Sequence, residues 1–394
     1  MRWRILLVLL IARTALGFQF QTIASTAPFL RQQFGIAFAD IGTLIGLYML
    51  PGIVLALPGG LLVRRFGDKI LCCAGLALMA FGGFLTAASD SYGLLLAGRL
   101  VSGTGGVFMT LAITKMTTDW FAGREIVAAM GALLTSWPLG VATGLLVFAP
   151  VSQAHGWPWA MSIAAGACLT GLVLVAGFYR PPQEIARTAP AAVSAFAMLP
   201  REEALPILVA GLIWGSINLG LIAFFSFVPP LLAEHGFGPA AGAFVTSVVL
   251  WVMIVSMPLG GYWLQRSGRT EAGIILSCLL MALAMAGLPL APAAALAFSI
   301  VLGVLIGPAP GAIMAMPGRV LRPENRAVGL GLFMMVYYVV LAIGPIAAGA
   351  LRDVGGSAAP VVFGASAFLC IVPLTAIFGA LVRPAKDVSP HGAP

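Results

Sequence analysis

Charged side chains are scarce in this sequence. Only 9% of the 394 residues are Asp, Glu, Lys or Arg, whereas 60% are apolar, and the mean hydropathy is +1.04. A soluble domain carries about 25% charged residues, because its water-facing surface needs them. The composition therefore excludes a cytosolic enzyme, a nucleic-acid-binding domain and a disordered chain.

Residues that could hold a metal or carry out covalent chemistry are also few. The five cysteines lie in apolar runs without C-x-x-C spacing, which favours packing as small apolar side chains. The three lysines do not follow the G-x-x-x-x-G-K pattern of a phosphate-binding loop, and the sequence has no H-E-x-x-H or G-x-S-x-G motif. We therefore expect neither an enzyme nor an ATP-driven pump, and no metal or cofactor.

Long apolar runs are abundant. A helix needs about 20 apolar residues to cross the hydrocarbon core of a bilayer. We predict an all-α membrane protein of twelve spans, numbered in chain order: 5–27, 41–63, 70–88, 92–114, 126–149, 157–179, 206–228, 240–264, 271–289, 293–315, 327–349 and 358–382.

Basic residues are distributed unevenly between the loops. The N-terminus, the C-terminal tail and alternate loops hold 17 of the 21 Lys and Arg residues, and the opposite loops hold only Arg31 and Arg352. Because Lys and Arg accumulate on the cytoplasmic side, we expect both termini to be cytoplasmic and the protein to lie in the cytoplasmic (inner) membrane.

The most hydrophilic stretch, 180–205, divides the chain into residues 1–179 and 206–394. We predict two six-helix bundles joined by a cytoplasmic linker. Glycine and arginine recur in the same order after spans two and eight, about 200 residues apart, which indicates that the two bundles are repeats. These recurring residues are Gly60, Arg65 and Gly67 after span two, and Gly261, Arg266 and Gly268 after span eight.

The repeat resembles the major facilitator superfamily, whose motif between spans two and three is approximately G-x-x-x-D-R-x-G-R-R. Arg64 stands at the acidic position of that motif, and Asp68 is nearby but out of register. In span four, Arg99, Gly103 and Gly105 match the family's R-x-x-x-G-x-G. The resemblance implies a secondary transporter that works by alternating access, with the six repeated glycines and arginines taking part in gating.

Within that superfamily, the overall pattern resembles bacterial anion permeases of the cyanate and nitrate/nitrite kind. The features are the arginine in span one, the glutamines that follow it, and Trp120-Phe121 before Arg124-Glu125. This resemblance implies a small anionic substrate.

Charges inside the spans are only positive. All 13 acidic residues fall in loops or at span ends, whereas Arg13 lies in span one and Arg99 in span four. A buried arginine at mid-bilayer costs at least about 2.5–3.5 kcal/mol, so backbone carbonyls, water or an anion must satisfy its donors. We interpret Arg13 as a substrate anchor, with a structural arginine as the alternative. Arg99 is a second candidate ligand.

Other polar or aromatic side chains in the spans complete the predicted binding site. These are Gln19, Gln21, Trp214, Asn218, Tyr337 and Tyr338. We expect a monomer that carries a small, anionic solute, coupled to a proton or a counter-anion. Efflux of a neutral or amphipathic compound and a non-transporting sensor of the same fold stay open as alternatives.

Overall fold

The structure is a computed structural model that describes residues 2–56, 58–121, 125–181, 199–322 and 325–382. Most of the predicted linker (182–198), the C-terminal tail (383–394), Arg124 and Glu324 lie outside the described residues, as does the side chain of Arg64. Within the described part, twelve helical segments are long and apolar enough to cross a membrane. The prediction of twelve spans is confirmed.

Three spans are interrupted beside prolines, which lack a backbone N–H and clash with the preceding turn. Span two consists of Phe38–Leu47, Leu50–Leu55 and Gly59–Phe66, with Pro51 at the first break. Span five consists of Ile126–Leu134 and Ser136–His155, with Pro138 after the break, and span ten of Ala295–Leu305 and Ala309–Ala315, with Pro308 between them.

The other spans are single helices. In order, they are Arg2–Phe34, Asp68–Ala87, Tyr92–Phe121, Trp157–Phe178, Arg201–Glu234, Pro239–Ser267, Thr270–Gly287, Arg326–Gly355 and Ala358–Val382.

Span seven starts at Arg201, within the stretch 180–205 that was predicted from the sequence to be the linker. Pro200 precedes the helix, and Glu202 and Glu203 occupy its first turn. Acidic residues there interact favourably with the positive end of the helix dipole. Hydrophilic residues that are read as linker in the sequence therefore form the first turn of a helix.

The spans form two bundles with matching internal contacts. In the first bundle, span one packs on spans five and six, and span three packs on spans four and six. In the second, span seven packs on spans eleven and twelve, and span nine on span twelve. The two bundles, called the N half and the C half below, meet where span two contacts span eleven and span five contacts span eight.

An ion pair occupies equivalent places in the two halves, with its charges exchanged. In the N half, Arg2 of span one pairs with Glu125 at the start of span five, at 2.8 Å. In the C half, Glu203 of span seven accepts hydrogen bonds from Asn325 at 3.1 and 3.0 Å and pairs with Arg322 at 3.4 Å, both beside the start of span eleven. Glu203 is 201 positions after Arg2, close to the offset of the repeated glycines.

Candidate functional site

A cavity of about 1780 Å³ lies between the two halves. Its mouth is at the end of the molecule that carries the basic loops, where Tyr262, Gln265, Arg269, Glu271 and Arg319 line it. Its inner part is lined by side chains from the middle of the spans. The polar and aromatic ones among them are Arg13, Tyr48, Thr110, Thr135, Trp137, Trp214, Asn218, Tyr337 and Tyr338.

Arg13 is partly buried in the cavity wall and is held by span five. Its Nη1 donates to the carbonyl oxygen of Leu133 at 2.7 Å and to Oγ of Ser136 at 3.1 Å. Leu133 lies in the last turn of the first helix of span five, where carbonyl groups lack the regular intrahelical donor. Its carbonyl oxygen also accepts a hydrogen bond from Oγ of Ser136 at 2.6 Å. Nε of Arg13 is buried without a hydrogen-bond partner among the described residues. The guanidinium is thus anchored on one side only.

The four candidates of the C half line the same cavity. Nδ2 of Asn218 donates to the carbonyl oxygen of Trp214 at 2.8 Å, one turn earlier on span seven. The rings of Trp214 and Tyr337 are stacked, with centroids 6.1 Å apart and planes 29° apart. Tyr337 meets Tyr338 edge to face at 5.1 Å, and both phenols line the same cavity as Arg13. The structure therefore brings five of the eight predicted binding residues together.

Arg99 has a different environment, and the structure does not place it on the cavity wall. It is 2% exposed. Nε donates to the carbonyl oxygen of Leu44 at 3.0 Å, Nη1 donates to that of Gln19 at 3.3 Å, and the guanidinium lies 4.4 Å from the ring centre of Tyr48. In this conformation, Arg99 joins spans one, two and four, and a direct contact with substrate stays a prediction.

The two glutamines also lie away from the cavity. Nε2 of Gln19 donates to the carbonyl oxygen of Met79 at 2.7 Å, and Oε1 accepts from the hydroxyl of Tyr48 at 3.3 Å. Gln21 is 1% exposed, and its Nε2 donates to Oγ of Ser25 at 3.2 Å. The helical face that runs from Arg13 through Gly17 to Gln21 packs on span five, so only Arg13 of that face reaches the cavity.

Sequence reasoning missed two cavity residues, Tyr48 and Trp137. Trp137 lies 6.1 Å from Phe20 and 6.2 Å from Phe225 of span seven, so its ring bridges the two halves, and Phe20 lies 5.8 Å from Tyr48. A signal was present, because Trp137 is 201 positions before Tyr338, the offset that separates the repeated glycines and arginines. The internal repeat therefore relates Trp137 to the predicted candidate Tyr338.

The two halves touch closely at the end opposite the cavity mouth. A Cβ atom added to Gly42 or Gly46 of span two would lie 2.0 or 2.1 Å from the carbonyl oxygen of Pro345 or Ala342 in span eleven. A Cβ on Gly349 of span eleven would lie 2.1 Å from the carbonyl oxygen of Phe38. Glycine is required here because the backbones themselves are in contact.

Charged side chains close the same end. The carboxylate of Asp353, near the end of span eleven, accepts hydrogen bonds from the backbone N–H groups of Phe38 and Ala39 at 2.9 and 2.8 Å. The guanidinium groups of Arg31 and Arg352 lie 3.8 and 4.6 Å from the centre of the Phe38 ring. Asp353 thus satisfies the free N–H groups where span two begins, across the boundary between the halves.

Comparison with known families identifies this arrangement. The family model described as Major Facilitator Superfamily matches residues 9–246 and 207–393, so the two matches together cover nearly the whole chain. The chain belongs to the major facilitator superfamily. Its twelve-span fold of two six-helix bundles is the one predicted, and the chain is a multi-pass membrane protein.

Two curated members of the superfamily and one solved structure illustrate the similarity. The chain is 24% identical to the lysosomal dipeptide transporter MFSD1 of Danio rerio over 360 residues, 82% of this chain and 75% of MFSD1. It is 30% identical over 143 residues to the inner membrane transport protein YajR of Escherichia coli. That match covers 36% of this chain and only 30% of the length of YajR.

The solved structure is a bacterial homologue of the human lysosomal transporter Spinster, in an inward-facing and occupied conformation. The superposition has a TM-score of 0.74 and covers 97% of this chain and 96% of that chain, at 15% sequence identity. At this identity, the comparison shows that the fold is shared.

The superfamily's loop motif lies at the open end of the molecule. Gly67 and Gly268 follow the ends of spans two and eight with φ of +78° and +65°, a left-handed region that favours glycine. Gly60 lies in the last helix of span two, and Gly261 lines the cavity mouth. Arg65 is exposed beside the Phe66 ring, and Nη1 of Arg266 donates to the hydroxyl of Tyr262 at 3.0 Å.

The acid that the motif lacks at Arg64 has a counterpart four residues later. Oδ2 of Asp68 accepts a hydrogen bond from the hydroxyl of Tyr179 at 3.0 Å and lies 3.8 Å from Nζ of Lys115 in span four. Asp68 therefore pairs with neighbouring helices of its own half, although it is out of register with the superfamily motif.

Proposed function

We propose that this protein is a secondary active transporter that carries a small anionic solute across the cytoplasmic membrane by alternating access. The main support for an anionic solute is Arg13. It is a permanently charged group in the cavity wall, and its Nε has no partner among the described residues. The resemblance to cyanate and nitrate/nitrite permeases points to the same charge of substrate.

The charge balance of the cavity supports an anion. Among the described residues that line it, the acidic side chain is Glu271, which lies at the mouth and bonds to Arg319 at 3.1 Å. No carboxylate of the described spans faces Arg13, so an anion would be the first full countercharge to reach it. A charge-assisted hydrogen bond of this kind commonly contributes about 1.5–3 kcal/mol.

The proposed orientation has both termini in the cytoplasm, as the loop charges predict. The cavity mouth lies among the basic loops, so it faces the cytoplasm in this orientation, and the closed end faces the opposite side. We also propose that residues 1–179 and 206–394 form two bundles joined by a cytoplasmic linker, the last residues of which, from Arg201, belong to the helix of span seven. A monomeric state and coupling to a proton or a counter-anion complete the proposal.

One observation favours the second candidate function, efflux of a neutral or amphipathic compound. Arg13 already donates two hydrogen bonds to span five, as a structural arginine would, and Leu16, Ile217, Leu221, Met253 and Met334 contribute apolar side chains to the cavity wall. In that case the charge of Arg13 would hold span one against the broken span five and would leave substrate affinity unaffected.

Binding to purified Arg13 variants separates the two candidates. We expect Arg13→Ala to lower affinity for the transported anion about 10- to 150-fold, the equivalent of a charge-assisted hydrogen bond. Arg13→Lys should recover only part of that affinity, because an ammonium group lacks the planar fork of a guanidinium. Arg4→Lys is the control for changing an arginine of span one that does not line the cavity.

The readout is binding of small mono- and dicarboxylates, nitrate, nitrite and cyanate in detergent, followed by uptake into proteoliposomes. A well-folded Arg13→Ala protein that binds and transports an anion as well as the wild type does would contradict the proposal. A lower melting temperature with unchanged affinity would instead identify Arg13 as structural and favour the efflux function.

A further inference from the structure

The two halves place different chemistry at equivalent positions of the cavity. Arg13 and Trp214 are 201 positions apart, the offset that also relates Arg65 to Arg266. Both line the cavity, one from span one and the other from span seven. The repeat thus presents a cation from the N half and an aromatic ring from the C half, so a molecule between them meets two unlike surfaces.

The free edge of Arg13 suits a carboxylate. Nη1 is occupied by Leu133 and Ser136, whereas Nη2 makes no hydrogen bond to the described residues and Nε is buried without one. Because Nε has no accessible surface, a carboxylate that enters from the cavity would accept a charge-assisted hydrogen bond from Nη2. The free donor of the guanidinium therefore favours an anionic group.

The aromatic side of the cavity suits a flat, apolar body. Trp214 and Tyr337 are stacked, and Tyr338 meets Tyr337 edge to face, so three rings form one continuous wall. Rings that pack in offset or edge-to-face geometry attract each other beyond the area that they bury. This wall and Arg13 line the same cavity.

The aromatic wall and the charge of the cavity favour a larger monoanion over two simpler substrates. A three- or four-atom inorganic anion could contact Arg13 but would leave the aromatic wall of the cavity unused. Arg13 is the single positive charge on the inner wall, since Arg269 and Arg319 line the mouth, as far as the described residues extend. A second carboxylate on the substrate would therefore lie among apolar side chains without a countercharge, which is costly.

We infer that the substrate is an organic monoanion with a planar ring, an aromatic monocarboxylate, whose carboxylate binds Arg13 and whose ring packs on Trp214 and Tyr337. This inference rests on the proposed anion transport and specifies its substrate class. The cation of the N half and the aromatic wall of the C half then hold opposite ends of the same molecule, so that binding draws on both halves of the transporter.

The test measures binding of matched probes to the purified full-length protein by intrinsic fluorescence and thermal shift. Benzoate is compared with benzamide, which lacks the charge, with cyclohexanecarboxylate, which lacks the aromatic ring, with terephthalate, which adds a second charge, and with nitrate. We expect benzoate to bind most tightly. Arg13→Ala should weaken benzoate binding about 10- to 150-fold.

Variants of the aromatic wall test the second contact. Trp214→Leu and Tyr337→Leu should each weaken benzoate binding about 2- to 12-fold, the equivalent of one aromatic contact, and leave cyclohexanecarboxylate nearly unaffected. Trp251→Leu is the matched control, because Trp251 is 39% exposed on the outside of span eight and does not line the cavity.

The outcomes separate the two proposals. If nitrate binds in an Arg13-dependent way and benzoate does not, anion transport stands and the aromatic inference is wrong. If benzamide binds as tightly as benzoate and Arg13→Ala changes neither, both fail. Benzoate binding that is insensitive to Trp214→Leu and Tyr337→Leu, or the absence of benzoate binding to folded protein, also overturns the inference.

Discussion

At the closed end of the molecule, the N half and the C half are in backbone contact. At the open end, the ion pairs and side-chain hydrogen bonds of the described residues each join two groups of the same half. Gly42, Gly46 and Gly349 allow spans two and eleven to touch, and Asp353 binds N–H groups across the boundary. Around the cavity mouth, Arg2 pairs with Glu125 inside the N half, and the described ion pairs of the C half are likewise internal.

This difference indicates that the contacts between the halves at the closed end stabilise this conformation. Ion pairs at the open end persist when the halves rotate relative to each other, because both partners belong to the same rigid body. The contacts of Gly42, Gly46 and Asp353 cannot persist, since their partners lie in the other half. An alternating-access cycle must therefore break the closed end and gain compensating contacts at the open end.

The largest expected effect is at Gly42, where any side chain must separate two backbones. A Cβ atom there would lie 2.0 Å from the carbonyl oxygen of Pro345. We expect Gly42→Val to destabilise this conformation by about 1–3 kcal/mol, the usual cost of overpacking. The measurements are the melting temperature and the rate of uptake into proteoliposomes.

Gly166→Val in span six is the control for Gly42→Val. Nothing lies within 4 Å of a Cβ atom placed on Gly166, so the same substitution there should leave both readouts close to the wild type. Equal melting temperatures and uptake rates for the two variants would show that the backbone contact does not hold the closed end.

A smaller effect is expected at Asp353, which caps the start of span two from the other half. Loss of such a cap typically costs about 0.5–2 kcal/mol. We expect Asp353→Asn to weaken the closed end, because the neutral amide interacts less with the positive end of the helix dipole. Thermal stability should fall, and a cysteine introduced near Phe38 should become more reactive toward a water-soluble reagent.

Asp90→Asn provides the comparison for Asp353, because Asp90 is exposed between spans three and four at the same end of the molecule. It removes the same charge without removing a cap. If both variants change stability and labelling to the same extent, the cap is unimportant and the effect is one of surface charge.

The smallest effect on stability is expected at Arg65 in the superfamily motif. Arg65 is exposed at the open end, so Arg65→Ala should change the stability of this conformation by no more than about 0.5 kcal/mol. We expect a slower rate of transport with little change in substrate affinity, because the side chain would latch the halves only when the open end closes.

Arg266→Ala should behave in the same way, because Arg266 occupies the equivalent place after span eight. Arg65→Lys, which keeps the charge, is the control and should transport faster than Arg65→Ala. Wild-type binding together with wild-type turnover in Arg65→Ala would show that this arginine is not a latch.

Much of the fold could be predicted from sequence because its signals are local. About 20 apolar residues in a row define each span, and the Lys and Arg residues of the flanking loops indicate the direction in which it crosses the membrane. Span ends were less predictable. The helices of spans one and seven extend to Phe34 and Glu234, several residues beyond their apolar runs, because a helix can continue into the polar interface.

The candidate site was harder to predict, because the rotation of each helix in its bundle decides which of its side chains line the cavity. Arg13 and Arg99 are both single arginines in apolar runs, yet Arg13 reaches the cavity and Arg99 bonds to the backbones of spans one and two. No local pattern distinguishes them. The break in span five, which supplies the carbonyl oxygen of Leu133, becomes informative only once the partner of Arg13 is known.

The exchanged ion pair at the open end has a consequence for how the chain assembles as it enters the membrane. Span one brings Arg2 and must find Glu125, while span seven brings Glu203 and must find Arg322 and Asn325. If span one docked in the place of span seven, Arg2 would meet Arg322, and the converse error would bring Glu203 to Glu125. Like charges would repel in both mispaired arrangements. The two ion pairs therefore favour the docking of each first helix in its own bundle, although the two halves have similar shapes.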